Sequence, residues 1–248
     1  MKGPRRPEEI FEEFSNDCRE AFGEALRSIV LYGSGASADY RPERSDVNFL
    51  IVLSEEGIRA LNACFKLVGK WRARRVATPL VMTEQCIVSS LDSFPLEFLN
   101  IRHQYSVVWG HDPLVAVRID PEKLRLQCER EVKGKLVQLR GAYVASEGRK
   151  RELLGMVTQS ITAFVSIFRG ILYLCQGEVP VHRGAVIARV ADTTGVDEVV
   201  FLRLVQIKEG KVKVGPAELH AHVIRYLDEV RKLAVWWDAF DCGVRERG

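Results

Sequence analysis

The chain contains no Cys-x-x-Cys pair, and none of its six cysteines (Cys18, Cys64, Cys86, Cys128, Cys175, Cys242) has a histidine nearby at zinc-ligand spacing. Zinc ribbons, zinc fingers and dithiol redox motifs are thereby excluded. Several of these cysteines fall on apolar helical faces, where a reduced thiol behaves as a small hydrophobe. Such usage points to a reducing cytoplasm. Net charge is only +3, too little to argue for a nucleic-acid partner. The basic start, Met1 to Glu8, is followed by no apolar h-region, so no secretory signal is expected there. The most apolar stretch, Glu152 to Cys175, is interrupted by Gln159, Ser160, Thr162, Ser166 and Arg169. It reads as the buried central helix of a bundle and not as a membrane span. Internal repeats and low-complexity tracts are absent.

What is present is the composition of a globular protein, 47% hydrophobic and 28% charged over 248 residues, enough for one large or two modest domains. Residues 1–120 carry 15 basic and 17 acidic groups, residues 121–248 carry 21 and 16. The mildly basic second half reads as a solvated helix surface. Pro7 to about Leu26 has apolar residues at helical spacing, and a second helix is expected from Glu55 to Ala73 with Ile58, Leu61, Phe65, Val68 and Trp71 inward. Its tail, Lys70 to Arg75, is the densest basic patch. Strands are expected at Ile29–Tyr32, Asp46–Leu53, Leu80–Met82, Leu96–Ile101 and Val107–Trp109. This alternation gives an α/β (α+β) N-terminal domain, residues 1–118, with a small mixed sheet. Residues 119–248 turn to long helices, near 121–145, 152–175, 183–191, 196–207 and 217–240, and form an all-α four- or five-helix bundle.

The stretch richest in chemistry is Leu31-Tyr32-Gly33-Ser34-Gly35-Ala36-Ser37, after which eleven residues separate Ser34 from Asp46-Val47-Asn48-Phe49-Leu50-Ile51. An apolar strand runs into a Gly-Ser turn, and a second strand then opens with two polar side chains two residues apart. Strand side chains alternate faces, so Asp46 and Asn48 point the same way. Backbone amides in a glycine turn can approach phosphate oxygens where a Cβ would obstruct them. Asp46 supplies the hard anionic oxygen that magnesium prefers.

Gly33-Ser34 followed by Ser45-Asp46-Val47-Asn48 resembles the signature of the polymerase-β-like nucleotidyltransferase superfamily, and within it the minimal and aminoglycoside-adenylyltransferase branch. That branch pairs a transferase domain with a C-terminal helical bundle. The resemblance covers roughly residues 28–101 and implies a binding site for a nucleoside triphosphate with magnesium. It assigns Gly33, Ser34, Ser45 and Arg44 to the nucleotide and Asp46 and Asn48 to the metal. Glu97, read as the lone acid on a strand after Pro95, becomes a third carboxylate or general base. Asn48 departs from the pattern, which has an acid there: its one neutral carbonyl oxygen cannot bridge two cations. Weakened magnesium binding and impaired or lost transfer are therefore expected. An active transferase acting on a small hydroxylated acceptor or a protein stays open, as does a non-catalytic interaction protein and a homodimer. The Arg-to-His spacing of ribonuclease toxins that accompany some minimal nucleotidyltransferases is absent from all five histidines. Glu129, Lys133 and Arg140 line one side of the first bundle helix, either toward an acceptor cleft or as surface charge pairs. His103 and His111 read as loop histidines.

Overall fold

The computed structural model describes residues 3–37, 40–42 and 44–240, and the expectation for Cys242 lies outside them. The chain divides into two compact units, Met1–Ile119 and Asp120–Gly248.

Among the described residues the first unit is a four-stranded mixed sheet with helices. A 3₁₀ turn at Pro7–Ile10 leads into α1 (Phe11–Phe22), which ends at Gly23; Leu26, expected as the last helical residue, instead opens β1 (Leu26–Tyr32). The other strands are β2 (Asn48–Leu53), β3 (Leu80–Met82) and β4 (Tyr105–Gly110), in the order β3-β2-β1-β4. β1 runs antiparallel to both β2 and β4, while β3 joins β2 in parallel. One sheet face presents Ile29, Leu31, Phe49, Ile51 and Leu53 to a core built with Ile10, Phe14, Cys18, Leu67 and Trp71. Phe14 stacks on Phe49 at a centroid distance of 4.1 Å, and Trp71 meets Phe14 edge-on at 5.2 Å. Such aromatic pairs add to the stabilisation from burial itself.

The helix expected over 55–73 is broken in two. α2 (Glu55–Arg59) is capped by the Ser54 hydroxyl, which accepts from the Gly57 amide at 3.3 Å; a 3₁₀ turn at Leu61–Ala63 follows, then α3 (Cys64–Arg72). The break resets the helical phase, so Leu67 and Trp71 are buried while Phe65, expected inward, is 77% exposed. The Trp71 indole donates to Asp17 at 2.7 Å. Beside it the basic patch is tied to the unit's own acids: Lys70 pairs with Asp17 and Glu13, and Arg74 pairs with Glu13. After β3 come α4 (Glu84–Ser89), capped by Thr83, and α5 (Pro95–His103).

Among the described residues the second unit is a five-helix bundle. α6 (Pro121–Ala145) starts with proline at its first position, under Asp120, whose carboxylate accepts from the Glu122 and Lys123 amides. Both features are standard N-terminal devices. α7 (Lys150–Gln176) and α8 (Arg183–Thr194) end in left-handed caps at Gly177 and Gly195; α9 (Glu198–Lys208) is capped by Asp197, and α10 (Pro216–Ala239) opens on Pro216. α7 is long and apolar enough to cross a membrane by length and composition. Here it packs against each of the other four helices, the central position expected from its sequence. Phe164, Phe168, Phe201 and Tyr226 interlock around it with centroid separations of 5.0 to 6.2 Å. Lys133 bridges Glu129 and Asp238 at 2.6 Å each, so this charge group ties α6 to α10.

Candidate functional site

β1 delivers the chain to a 3₁₀ turn, Gly33–Ala36, and Gly33 takes a left-handed φ of +73°. That conformation favours a residue without a Cβ. The Gly33 amide donates to the carbonyl of Gln104 at 3.0 Å, which ties the turn to the end of α5. Its N–H is thus already engaged, and a phosphate oxygen would have to compete for it. The Ser34 carbonyl accepts from both the amide and the hydroxyl of Ser37. Asn48 sits opposite Tyr32 in the β1–β2 register, and a Cβ built on Gly33 would lie 3.6 Å from Asn48 Nδ2. The turn and the first residue of β2 are neighbours.

The loop before β2 is closed by its own bonds. The Arg41 carbonyl accepts from the Arg44 and Ser45 amides, and the Ser45 hydroxyl accepts from the Arg41 amide at 3.1 Å. Ser45 therefore shapes the loop. Asp46 ends it. Val47 is bridged to Val76, its amide bonded to the Arg75 carbonyl and its carbonyl to the Ala77 amide. This bridge sets Arg75 beside Asp46. One guanidinium nitrogen, Nη2, lies 3.1 Å from both Asp46 Oδ1 and the Arg44 carbonyl. Arg75 itself holds a φ of +61°, a strained value for a residue with a side chain. Tyr40 lies within electrostatic reach of both Arg75 and Asp46 and donates its hydroxyl to the Pro4 carbonyl at 2.9 Å. Burial pushes its phenol up, against the pull of Arg75. The Tyr32 phenol is likewise raised by burial.

Glu97 requires a correction. Leu96–Ile101 is not a strand but the body of α5, with Pro95 in its first turn. Pro95, Leu96, Phe98, Leu99 and Ile101 are buried while Glu97 and Arg102 are exposed. This is the three-to-four spacing of a helix and not the alternation of a strand. Glu97 thus stands in the first helical turn on the outward side. Among the described residues no group of three or more His, Cys, Asp or Glu side chains could hold a metal ion. His111 Nε2 lies 2.7 Å from Glu84 Oε1, an exposed pair outside the Gly33–Asp46 region.

The residue that sequence reasoning missed is Arg75. Composition marked it only as the end of a basic patch. The signal in the chain was Trp71-Arg72-Ala73-Arg74-Arg75 leading directly into Val76, an apolar residue able to pair beside β2.

No protein-family model and no curated protein sequence matches the chain. Among solved structures it is similar to spectinomycin adenyltransferase AAD(9) from Enterococcus faecialis, determined with ATP and spectinomycin. The match has a TM-score of 0.51 at 11% identity and covers 89% of this chain and 99% of that one. The chain shares that enzyme's fold. The small mixed sheet followed by a helical region is the expected architecture.

Against that fold the donor set is poor for magnesium. Magnesium needs hard, anionic oxygens in a compact octahedral site. Asp46 already has a cation against it, and Asn48 contributes no charge. These residues do not fit a pair of divalent ions.

Proposed function

We propose that this protein is a nucleotidyltransferase-fold protein that binds a nucleoside triphosphate weakly and has lost, or retains only weakly, transfer of the nucleoside monophosphate. The observation that carries the reading is the Asp46–Arg75 ion pair at 3.1 Å, two residues before the amide of Asn48. Phosphoryl-group chemistry of this type depends on positioned cations that neutralise the triphosphate and bring the attacking hydroxyl into line. With its carboxylate held by an arginine and its partner position an amide, the site keeps the turn and the loop but lacks the charge that gathers metal.

Under this reading Gly33, Ser34, Arg44 and Ser45 border the nucleotide and Asp46 and Asn48 mark the former metal position. Glu97, on the exposed side of α5, is the weakest of the assignments. Any acceptor would be a small hydroxylated molecule, by analogy with the spectinomycin bound to the neighbour. Reduced thiols at Cys18 and Cys128, both buried and unbridged, fit a cytoplasmic setting.

The test is pyrophosphate release from ATP and GTP at saturating magnesium with a panel of aminocyclitol and aminoglycoside acceptors, alongside titration calorimetry. Weak binding without acceptor-dependent release is expected. Acceptor-dependent release at a rate of about 1 per second or more, ordinary for an enzyme, would replace this reading with that of an active transferase.

A further inference from the structure

We infer that Arg75 is the resident cation of this site, standing where a divalent ion would stand, so that triphosphate binds here without magnesium. The inference rests on the nucleotide-binding reading above and goes beyond it, because it names the counter-charge and the state of the ligand.

Three observations carry it. The first is placement by the backbone. Arg75 is hydrogen-bonded through its carbonyl to Val47, the residue between Asp46 and Asn48. The side chain is thus delivered to the metal-ligand end of β2 by a main-chain bridge and not by a flexible reach. The second is fixation. Nη2 is shared between Asp46 Oδ1 and the Arg44 carbonyl, and the stem is packed closely by the N-terminal segment: a Cβ on Gly3 would come within 3.2 Å of Arg75 Cδ. The left-handed φ of +61° is held despite its cost, and strained residues that persist are over-determined by their surroundings. The third is charge. In sequence, segment 41–46 together with Arg75 carries three arginines, Arg41, Arg44 and Arg75, against two carboxylates, Glu43 and Asp46, a small positive excess. A site built for two magnesium ions has the opposite sign. This one is prepared for an anion, and arginine's planar fork suits phosphate oxygens.

A second consequence follows. Restoring the acid at position 48 would not by itself restore a metal site, because the guanidinium would still neutralise Asp46. Metal binding should need two changes, Asn48→Asp and removal of Arg75. The left-handed φ makes Arg75→Gly the conservative removal, and Arg75→Asn, also tolerant of that region, is the second variant if glycine loosens the fold.

The experiment is calorimetry of ATP in EDTA and in excess magnesium on the wild type, Arg75→Gly and Arg75→Asn, with circular dichroism to confirm folding. Equal wild-type affinity in EDTA and magnesium is expected. Folded Arg75 variants should then lose about tenfold or more of the EDTA affinity, the scale of one charge-assisted phosphate contact. Manganese binding, followed by electron paramagnetic resonance without nucleotide, should appear in Asn48→Asp/Arg75→Gly and in neither single variant. Wild-type binding that requires magnesium overturns the inference and leaves the nucleotide-binding reading standing. Manganese binding by Asn48→Asp alone, as strong as by the double variant, also overturns it. Absence of ATP binding under every condition sinks both readings together.

Discussion

The side-chain amide of Asn48 lies against Gly33, 3.6 Å from where a β-carbon would stand. That separation is ordinary van der Waals contact, so adding a methyl group here meets no clash. What it meets is the backbone, because Gly33 sits at φ +73°. Gly33→Ala is therefore expected to cost about 1–2 kcal/mol, the penalty of a left-handed alanine, and Gly33→Asn less, since asparagine visits that region more readily. Urea unfolding at unchanged slope would give the ordering glycine, asparagine, alanine. An alanine variant as stable as the wild type would mean that the turn is not left-handed in solution.

Inside the bundle the Tyr226 hydroxyl donates to Ser160 Oγ at 3.0 Å, and Ser160 donates onward to the Val157 carbonyl. Both residues are buried, and burial raises the Tyr226 phenol well above its usual value. Deleting one partner of a buried pair costs more than deleting both, because the survivor is left without a partner. Ser160→Ala should cost about 1–3 kcal/mol and Tyr226→Phe about 0.5–1.5 kcal/mol. The double variant should fall close to Tyr226→Phe alone, giving a coupling that a double-mutant cycle reads directly. Additive losses would show that the two hydroxyls do not interact.

The cysteines divide by environment. Burial pushes the Cys18 thiol up to about 12, with Cys64 and Asp17 adding smaller contributions in the same direction. Cys128 is also fully buried, whereas Cys86 and Cys175 are exposed. Since the thiolate is the reacting species and burial also raises the Cys175 thiol, iodoacetamide should label Cys86 first and Cys175 more slowly in the native protein, and spare Cys18 and Cys128 until denaturant is added. Peptide mass spectrometry on the native and unfolded chain is the check. Early labelling of Cys18 would contradict the packing of α1 on the sheet.

Much of this architecture could be read from local chemistry. Asp120-Pro121, Gly177, Gly195 and Pro216 mark helix ends by rules that act within a few residues, and the bundle helices lie where those signals fall. The turn at Gly33 and the body of β2 were legible for the same reason, although the strand expected from Asp46 begins only at Asn48, with Asp46 ending the loop before it. Glu97 is ambiguous in sequence because a short apolar run after a proline suits strand and helix alike, and Pro95, which favours a first helical turn, decides for the helix. Phe65 falls outward because the helical period that places it inward does not run through Leu61–Ala63, where the chain tightens and loses phase. Arg75 lies at another level. Its role depends on a bridge between Val47 and Val76, 29 residues apart, and the run into Val76 shows a residue able to pair but not which strand it pairs with.

Acid should weaken the bundle through His222. This imidazole, half-buried on α10, meets the Val200 carbonyl through Nε2 at 3.0 Å. Arg225 and Arg203 face it, and Glu218, paired with Arg203 at 2.6 Å, is the nearby acid. Burial lowers its pKa from the ordinary 6.5, with the two arginines acting in the same direction and the bond to Val200 opposing. In the unfolded chain the imidazole takes up its proton near 6.5, and in the folded chain only at lower pH. Between those values the unfolded state binds more protons, so stability rises with pH and is lost as pH falls through that window. His222→Gln keeps a donor for the Val200 carbonyl without the titration. Between about pH 7.5 and about pH 5.5, which brackets an ordinary histidine, the wild type should lose more stability than His222→Gln in parallel urea titrations. Carboxylates elsewhere titrate in both proteins and drop out of the difference. Identical losses would mean that His222 is solvated in solution and that α9 and α10 lie less closely together than described.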